Sequence, residues 1–323
     1  MKKRNILFYV TLIFLVILSN FLIPRLMPGS PLKTIAGESV GELSEKEKQS
    51  MLEAYDFDKP LYHQFINYVK NFFTLNWGTS FSKNDKITTV LMRALPWTLL
   101  LSISNLIISS VLGSYLGYKS AIKRKEKKDL KYMFIMSAIS SLPTFWIGMT
   151  FIAVFSVFFK WFPLGHAYSL WKNYKGIVYI LDVIWHLTLP LLTLTISTLM
   201  SFFVAMRYGV LTVISEDYIK MAKLRNLPDK RIKFTYIIRN SIIPVFTVFM
   251  IELGYILSGS VIIETIFSYP GVGSIMYNAV LSRDYPLVQY SFVTVSFMVI
   301  FANFLADKMY SKIDTKMEYK NEE

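Results

Sequence analysis

The stretch Asp217–Phe234, DYIKMAKLRNLPDKRIKF, is polar and basic but lies between two long apolar runs. Ser215 is placed to cap a helix, and Glu216 and Asp217 put negative charge at that helix's positive end. Lys223 and Arg225 fall in its last turn, where positive charge is favourable. Asn226 suits the left-handed stop position, and Pro228 disfavours helical geometry at Leu227. Tyr218, Met221 and Ala222, at i, i+3 and i+4, form a small apolar face. A helix of about three turns does not hold alone in water, so this one must dock onto something. The plainer alternative is a solvated basic loop that only fixes membrane topology.

Composition supports a membrane setting. Of 323 residues, 53% are hydrophobic and 16% aromatic, and the mean hydropathy is +0.41. Several apolar runs approach the ~20 residues that cross a bilayer as a helix. There is no cysteine, which removes disulfides and thiolate metal sites. The net charge of +13 raises the question of nucleic acid. Lys and Arg gather in blocks between apolar runs, however, as in cytoplasmic loops that follow the positive-inside rule. The expected partner is membrane lipid, not nucleic acid.

The expected fold is therefore an all-α integral membrane protein with six transmembrane helices. They are placed near 6–27, 95–118, 133–159, 184–208, 240–263 and 287–306. The basic start MKKR and the apolar run behind it also permit a signal peptide. The run is longer than the ~7–15 residues usual there, and no small-x-small cleavage pattern follows, so a retained first span is expected. The basic loops after the second and fourth spans, with MKKR, belong to the cytoplasm, and parity returns the C-terminus there. Residues 1–27 are thus read as an N-terminal span and 28–94 as an extracytoplasmic segment. Residues 95–306 form the core with a cytoplasmic loop at 209–239, and 307–323 form a cytoplasmic tail. Within 28–94, Ser44 and Glu47 have capping-box spacing. Leu61, Phe65, Tyr68, Val69 and Phe72 form one side of an amphipathic helix that packs on other spans or lies on the membrane.

No enzyme constellation is visible. GSYLGYKS (113–120) resembles a phosphate-binding loop, but its glycines are too close and Lys119 is displaced from the second glycine by Tyr118. Gly113-x-x-x-Gly117 reads better as close helix packing. His63, His166 and His186 lack paired metal-ligand spacing, so no metal site and no bound cofactor are expected. ATP-driven work must use a nucleotide site on another chain.

SEDYIKMAKLRN (215–226) with RNSIIP (239–244) resembles the cytoplasmic coupling loop of ABC importer permeases, especially the oligopeptide/dipeptide/nickel permease family. YDFDKPLYHQF (55–65), LNWGTSF (75–81), LPWTLLLS (95–102), SLPTFWIG (141–148) with FPLG (162–165), and ETIFSYPGVG (264–273) with RDYP (283–286) resemble further landmarks in that family's order. The resemblance implies the type I ABC importer permease fold in the bacterial plasma membrane. It also implies a second homologous permease subunit, two ABC ATPase subunits that bind ATP, and an extracytoplasmic substrate-binding protein. The opening helix would then be the coupling helix. Glu216, Asp217, Tyr218, Met221, Ala222, Lys223, Arg225 and Asn226 would lie at the ATPase contact, with Asn226 standing where the family usually has Gly.

Two further sites follow. Glu252 lies mid-span, where a carboxylate costs about 2.5–3.5 kcal/mol on insertion scales and must face protein or water. It lines a translocation path or bonds a neighbouring span. Pro270, Gly271 and Gly273 demand a turn. The resemblance places that segment, with Glu264 and Phe267, at an external mouth where a binding protein docks; a plain connecting turn is the alternative. Peptides are the cargo the resemblance implies first, and nickel or a metal chelate second. A membrane receptor or sensor subunit and a membrane-embedded hydrolase are readings of other classes. The hydrolase lacks a paired nucleophile and base.

Overall fold

The computed structural model describes residues 3–26, 59–124, 126–255 and 260–313. The chain is mostly helical. Helix α1 (Lys3–Leu26) is followed by α2 (Leu61–Phe73), then by a two-stranded hairpin, β1 (Thr79–Ser80) with β2 (Asp85–Lys86). After these come α3 (Ile87–Ile122), α4 (Lys127–Ser140) and α5 (Thr144–Phe151), the last continued by a π-helical turn over Ile152–Phe158. Helix α6 (Ile177–Ser215) leads into the short α7 (Asp217–Leu224). Helix α8 (Asp229–Tyr255) carries a π-helical turn at Ile232–Ile238, and α9 (Ser260–Ile266), α10 (Val272–Leu281) and α11 (Tyr285–Ile313) complete the order. The expected Ser44–Glu47 capping box lies outside the described residues.

Among the described residues, α3, α6, α8 and most of α11 are each long and apolar enough to cross a membrane. The third expected span, 133–159, is not one straight helix. Helix α4 and the α5 segment pass the same test only as a pair, bent by 89°. Pro143 explains the break, because its ring disfavours helical geometry at Leu142 and then starts α5. The sequence gives run length but hides this corner. The fifth expected span, 240–263, corresponds to α8 up to Tyr255 and to the start of α9 from Ser260.

Helices α3 and α6 form the centre, and the small residues of α3 explain how close they come. A Cβ on Gly113 would lie 2.7 Å from Phe202 Cβ and 2.8 Å from the Leu199 carbonyl oxygen, and one on Gly117 would strike the Phe203 carbonyl. The GxxxG reading is thus correct: small residues let the two backbones approach. Gly209 repeats the device where α6 meets Ser241 of α8.

Segment 59–86 packs on the helices. Tyr68 and Phe72 of α2 join Ile17 and Phe21 of α1, Leu91 of α3 and Tyr290 of α11 in one buried cluster. Trp77 stacks on Tyr290 with centroids 5.1 Å apart and donates its indole N–H to the Phe72 carbonyl at 3.1 Å. Asp284, buried before α11, accepts bonds from Ser80 Oγ (2.5 Å), Ser82 Oγ (2.8 Å) and the Ser82 N–H (3.0 Å). A single carboxylate therefore fixes the hairpin to the helix bundle, since charge-assisted bonds of this kind are the strong ones.

Candidate functional site

Helix α7 has eight residues, and its setting follows from its two ends. The chain leaves α6 at Ser215 and turns at Glu216, whose backbone is extended (φ −70°, ψ 145°). Ser215 does not cap the new helix; its hydroxyl donates back to the Thr212 carbonyl at 2.6 Å, inside α6. At the far end Asn226 adopts φ +51°, the expected left-handed stop. The Leu227 N–H donates to the Ala222 carbonyl at 3.2 Å and the Asn226 N–H to Lys223 at 2.9 Å, which together make a Schellman motif. Leu227 packs into the same cluster as Ala222, the apolar contact that accompanies this motif. Pro228 then starts α8. A short helix, a tight turn and a second helix start are all present.

The orientation of α7 corrects one sequence expectation. Ala222 was grouped with Tyr218 and Met221 on the docking face, but it is 3% exposed and buried in the chain's own core. With Ile219 it packs among Val210, Val213, Ile232 and Ile237, from α6 and α8. Apolar spacing marks a buried face without saying what buries it. The outward face carries Met221, 51% exposed, and Leu224, 76% exposed. Glu216, Asp217, Lys220, Lys223 and Arg225 are exposed around them. Lys220 donates to Asp217 at 2.7 Å. That hydrogen bond holds the Asp217 carboxyl below its usual range and raises Lys220 in return. Both groups are in full solvent, so the pair adds little to stability. Tyr218 stands at the flank, where Asn240 of α8 donates to its hydroxyl at 3.4 Å. Helix α7 thus rests against the π-helical end of α8, and π-helical turns recur at functional sites.

Behind α7 lies a buried polar lock that sequence reading did not find. Asp129, 4% exposed at the start of α4, receives Arg207 Nη2 at 2.9 Å and Nε at 3.2 Å. Ser120, at the end of α3, donates to the same carboxylate. The two-pronged pair therefore joins α3, α4 and α6 within a few residues of the basic loops. Its sequence signal is Arg207 itself, a lone positive charge late in a 39-residue apolar helix.

Glu252 sits half-buried on α8 beside Ser201 of α6, which is exposed. The carboxylate thus lies at a seam between two spans and near the surface of the single chain. Farther along, the expected mouth segment folds inward. Glu264 is fully buried, and Phe267, Gly271 and Gly273 are buried too; Pro270 alone of the five is partly exposed. Thr98 of α3 donates to Glu264 at 2.8 Å and accepts the Val272 N–H at 2.8 Å, while the Ser274 N–H reaches the carboxylate at 3.1 Å. A Cβ at Gly271 would fall on that carboxylate, which explains the glycine. These residues build a clamp that shapes the turn.

Comparison with known proteins supplies the family. Residues 109–319 match the family described as the binding-protein-dependent transport system inner membrane component. The chain is 32% identical over 321 residues to the di/tripeptide transport system permease protein DppB of Pseudomonas aeruginosa, covering 95% of each chain. It is 28% identical to the oligopeptide transport system permease protein AppB of Bacillus subtilis and 30% identical to the glutathione transport system permease protein GsiC of Escherichia coli K12, covering 98% of each chain in both cases. A mostly helical chain with several membrane-length spans, matched over 211 residues (109–319) by the family and end to end by transport permeases, belongs to the binding-protein-dependent transport system inner membrane components: it is a multi-pass permease of the bacterial plasma membrane and not an enzyme.

Proposed function

We propose that this permease is one of two membrane subunits of an ATP-driven importer of peptides, with α7 as its contact to an ATPase subunit. The cargo follows from the relatives, which are permeases for di/tripeptides, oligopeptides and glutathione; they favour peptides over nickel. The observation that carries the mechanism is the two-sided character of α7. Ile219 and Ala222 pin it to α6 and α8, while Met221 and Leu224 present apolar surface outward. Motion of a bound ATPase is then passed to two spans through a packed core, as rigid-body movement.

The arrangement proposed for the membrane keeps six spans, with both termini and α7 in the cytoplasm. A second, related permease completes the pathway, two ATPase subunits bind ATP, and an extracytoplasmic binding protein delivers the peptide. Glu252 and Ser201 line the pathway, and the Glu264 clamp holds the outer turn in shape for the delivering protein. The permease itself makes no covalent bonds and holds no cofactor.

Co-purification tests this reading. Met221→Glu places an unpaired charge on the outward face, where desolvation against a partner is costly, while the chain's own core is untouched. The variant is expected to insert at normal levels and lose the ATPase subunits. Normal ATPase recovery with Met221→Glu contradicts the assignment of α7.

A further inference from the structure

The connection between the π-helical turn after α5 and helix α6 has an unusual surface. Residues 159–176, FKWFPLGHAYSLWKNYKG, carry six aromatic rings and three lysines, and no carboxylate. The base of this connection is fixed. The Ser169 N–H and hydroxyl bond Asp182 of α6 at 2.6 and 2.8 Å, and the His166 N–H reaches the Phe267 carbonyl at 2.9 Å. Beyond Ser169 the side chains leave the protein. Trp171 is 96% exposed, Leu170 is exposed beside it, and Lys172 Nζ lies 5.6 Å from the Tyr174 ring centroid.

Helix α6 tells what surrounds this projection. Ile177, Ile180, Leu181, Ile184 and Trp185 are all exposed, at i, i+3, i+4, i+7 and i+8. With Val178 and Tyr179 also exposed, the first turns of α6 present an apolar surface facing away from the core, a few residues after Trp171 in the chain. Arg207, in the lock at the other end of α6, is thirty residues from Ile177, or about 45 Å of helix. This matches the ~40–45 Å thickness of a bilayer with its headgroups. With Arg207 at one interface, residues 170–175 stand at the other.

We propose that Leu170–Lys175 is an interfacial anchor, with Trp171 seated among the headgroups of the outer leaflet and Lys172 and Lys175 on anionic phospholipid. An amphipathic ring followed by two lysines suits that layer, where one end is apolar and the other wet. The proposal rests on the span arrangement given above and fixes the loop on the outer side.

The chain has no cysteine, so Trp171→Cys supplies a single site for a fluorescent label, with Asn84→Cys on the exposed hairpin as comparator. The full transporter is placed in nanodiscs of phosphatidylcholine with or without phosphatidylglycerol. Lipid spin-labelled near the headgroup is expected to quench the label at position 171 and to leave position 84 bright. Spin-labelled phosphatidylglycerol should quench more than spin-labelled phosphatidylcholine. Lys172→Gln with Lys175→Gln should remove that preference, about fivefold per lysine. Equal quenching at 171 and 84, or no preference for phosphatidylglycerol, overturns the anchor. So does protection of position 171 only when the binding protein is added, which makes the loop a protein dock. Labelling of Trp171→Cys by an impermeant maleimide separates failures: access only from inside overturns the span arrangement and the anchor together, whereas outside access without lipid quenching overturns the anchor alone.

Discussion

Ala222 and Leu224 stand two residues apart on α7 and face opposite surroundings, the first 3% exposed in the permease core and the second 76% exposed. The helix therefore has two jobs that can be separated by mutation. One face belongs to the stability of this chain and the other is free for a partner.

The turn after α7 offers a test that removes no contact. Asn226 holds φ +51°, which glycine adopts freely and a β-branched residue resists. Asn226→Gly is expected to be nearly silent. Asn226→Val is expected to cost about 1–2 kcal/mol locally and to lower transport per ATP hydrolysed. Transport and ATPase rates measured together on both variants check this.

The Asp129–Arg207 lock is expected to fail asymmetrically. Arg207→Met leaves a buried carboxylate unpaired and should lower stability in detergent by roughly 3–5 kcal/mol. Combining it with Asp129→Leu removes the orphaned charge, and thermal unfolding should recover much of the loss. Equal unfolding temperatures for the wild type and Arg207→Met contradict a buried pair.

Thr98 pins the 264–274 turn because one hydroxyl both donates to Glu264 and accepts from Val272. Thr98→Ser retains both bonds and should behave as wild type. Thr98→Val takes the acceptor from the buried Val272 N–H, at about 1–3 kcal/mol, and one donor from the Glu264 carboxylate, which keeps the Ser274 N–H, and should raise proteolysis in the 264–274 turn. The comparison is read by limited digestion from the outside.

For Glu252, the path reading and a purely structural role separate by charge. Glu252→Gln keeps the size and polarity of the side chain beside Ser201 while removing the negative charge. Uptake of positively charged peptides relative to neutral ones is expected to fall at normal protein levels. An unchanged ratio assigns Glu252 to packing between α6 and α8.

What the sequence made legible was local. The stop at Asn226, the break at Pro228 and the close packing at Gly113 and Gly117 each depend on a residue's own backbone preference or size, and each is present. The facing of Ala222 was not legible, because spacing of three and four marks an apolar side but cannot tell the chain's own core from a partner's. Asp129 and Arg207 lie 78 residues apart, and their pairing is created only when α4 folds back on α6. The inward turn of Glu264 was hidden for the same reason, since Thr98 is 166 residues away. Length alone merged α4 and α5 into one span across Pro143.

The central claim is that α7 meets an ATPase subunit through its outward face and its own permease through the other. Single cysteines at Lys220, Met221 and Leu224, and separately at Ile219 and Ala222, can be introduced into this cysteine-free chain and oxidised or cross-linked in the assembled transporter. Each carries a cysteine series along the facing ATPase surface as partner. Cross-links to the ATPase are expected at 220, 221 and 224 and to be absent at 219 and 222. Absence of ATPase cross-links at all three outward positions, in a transporter that still imports its substrate, contradicts the account.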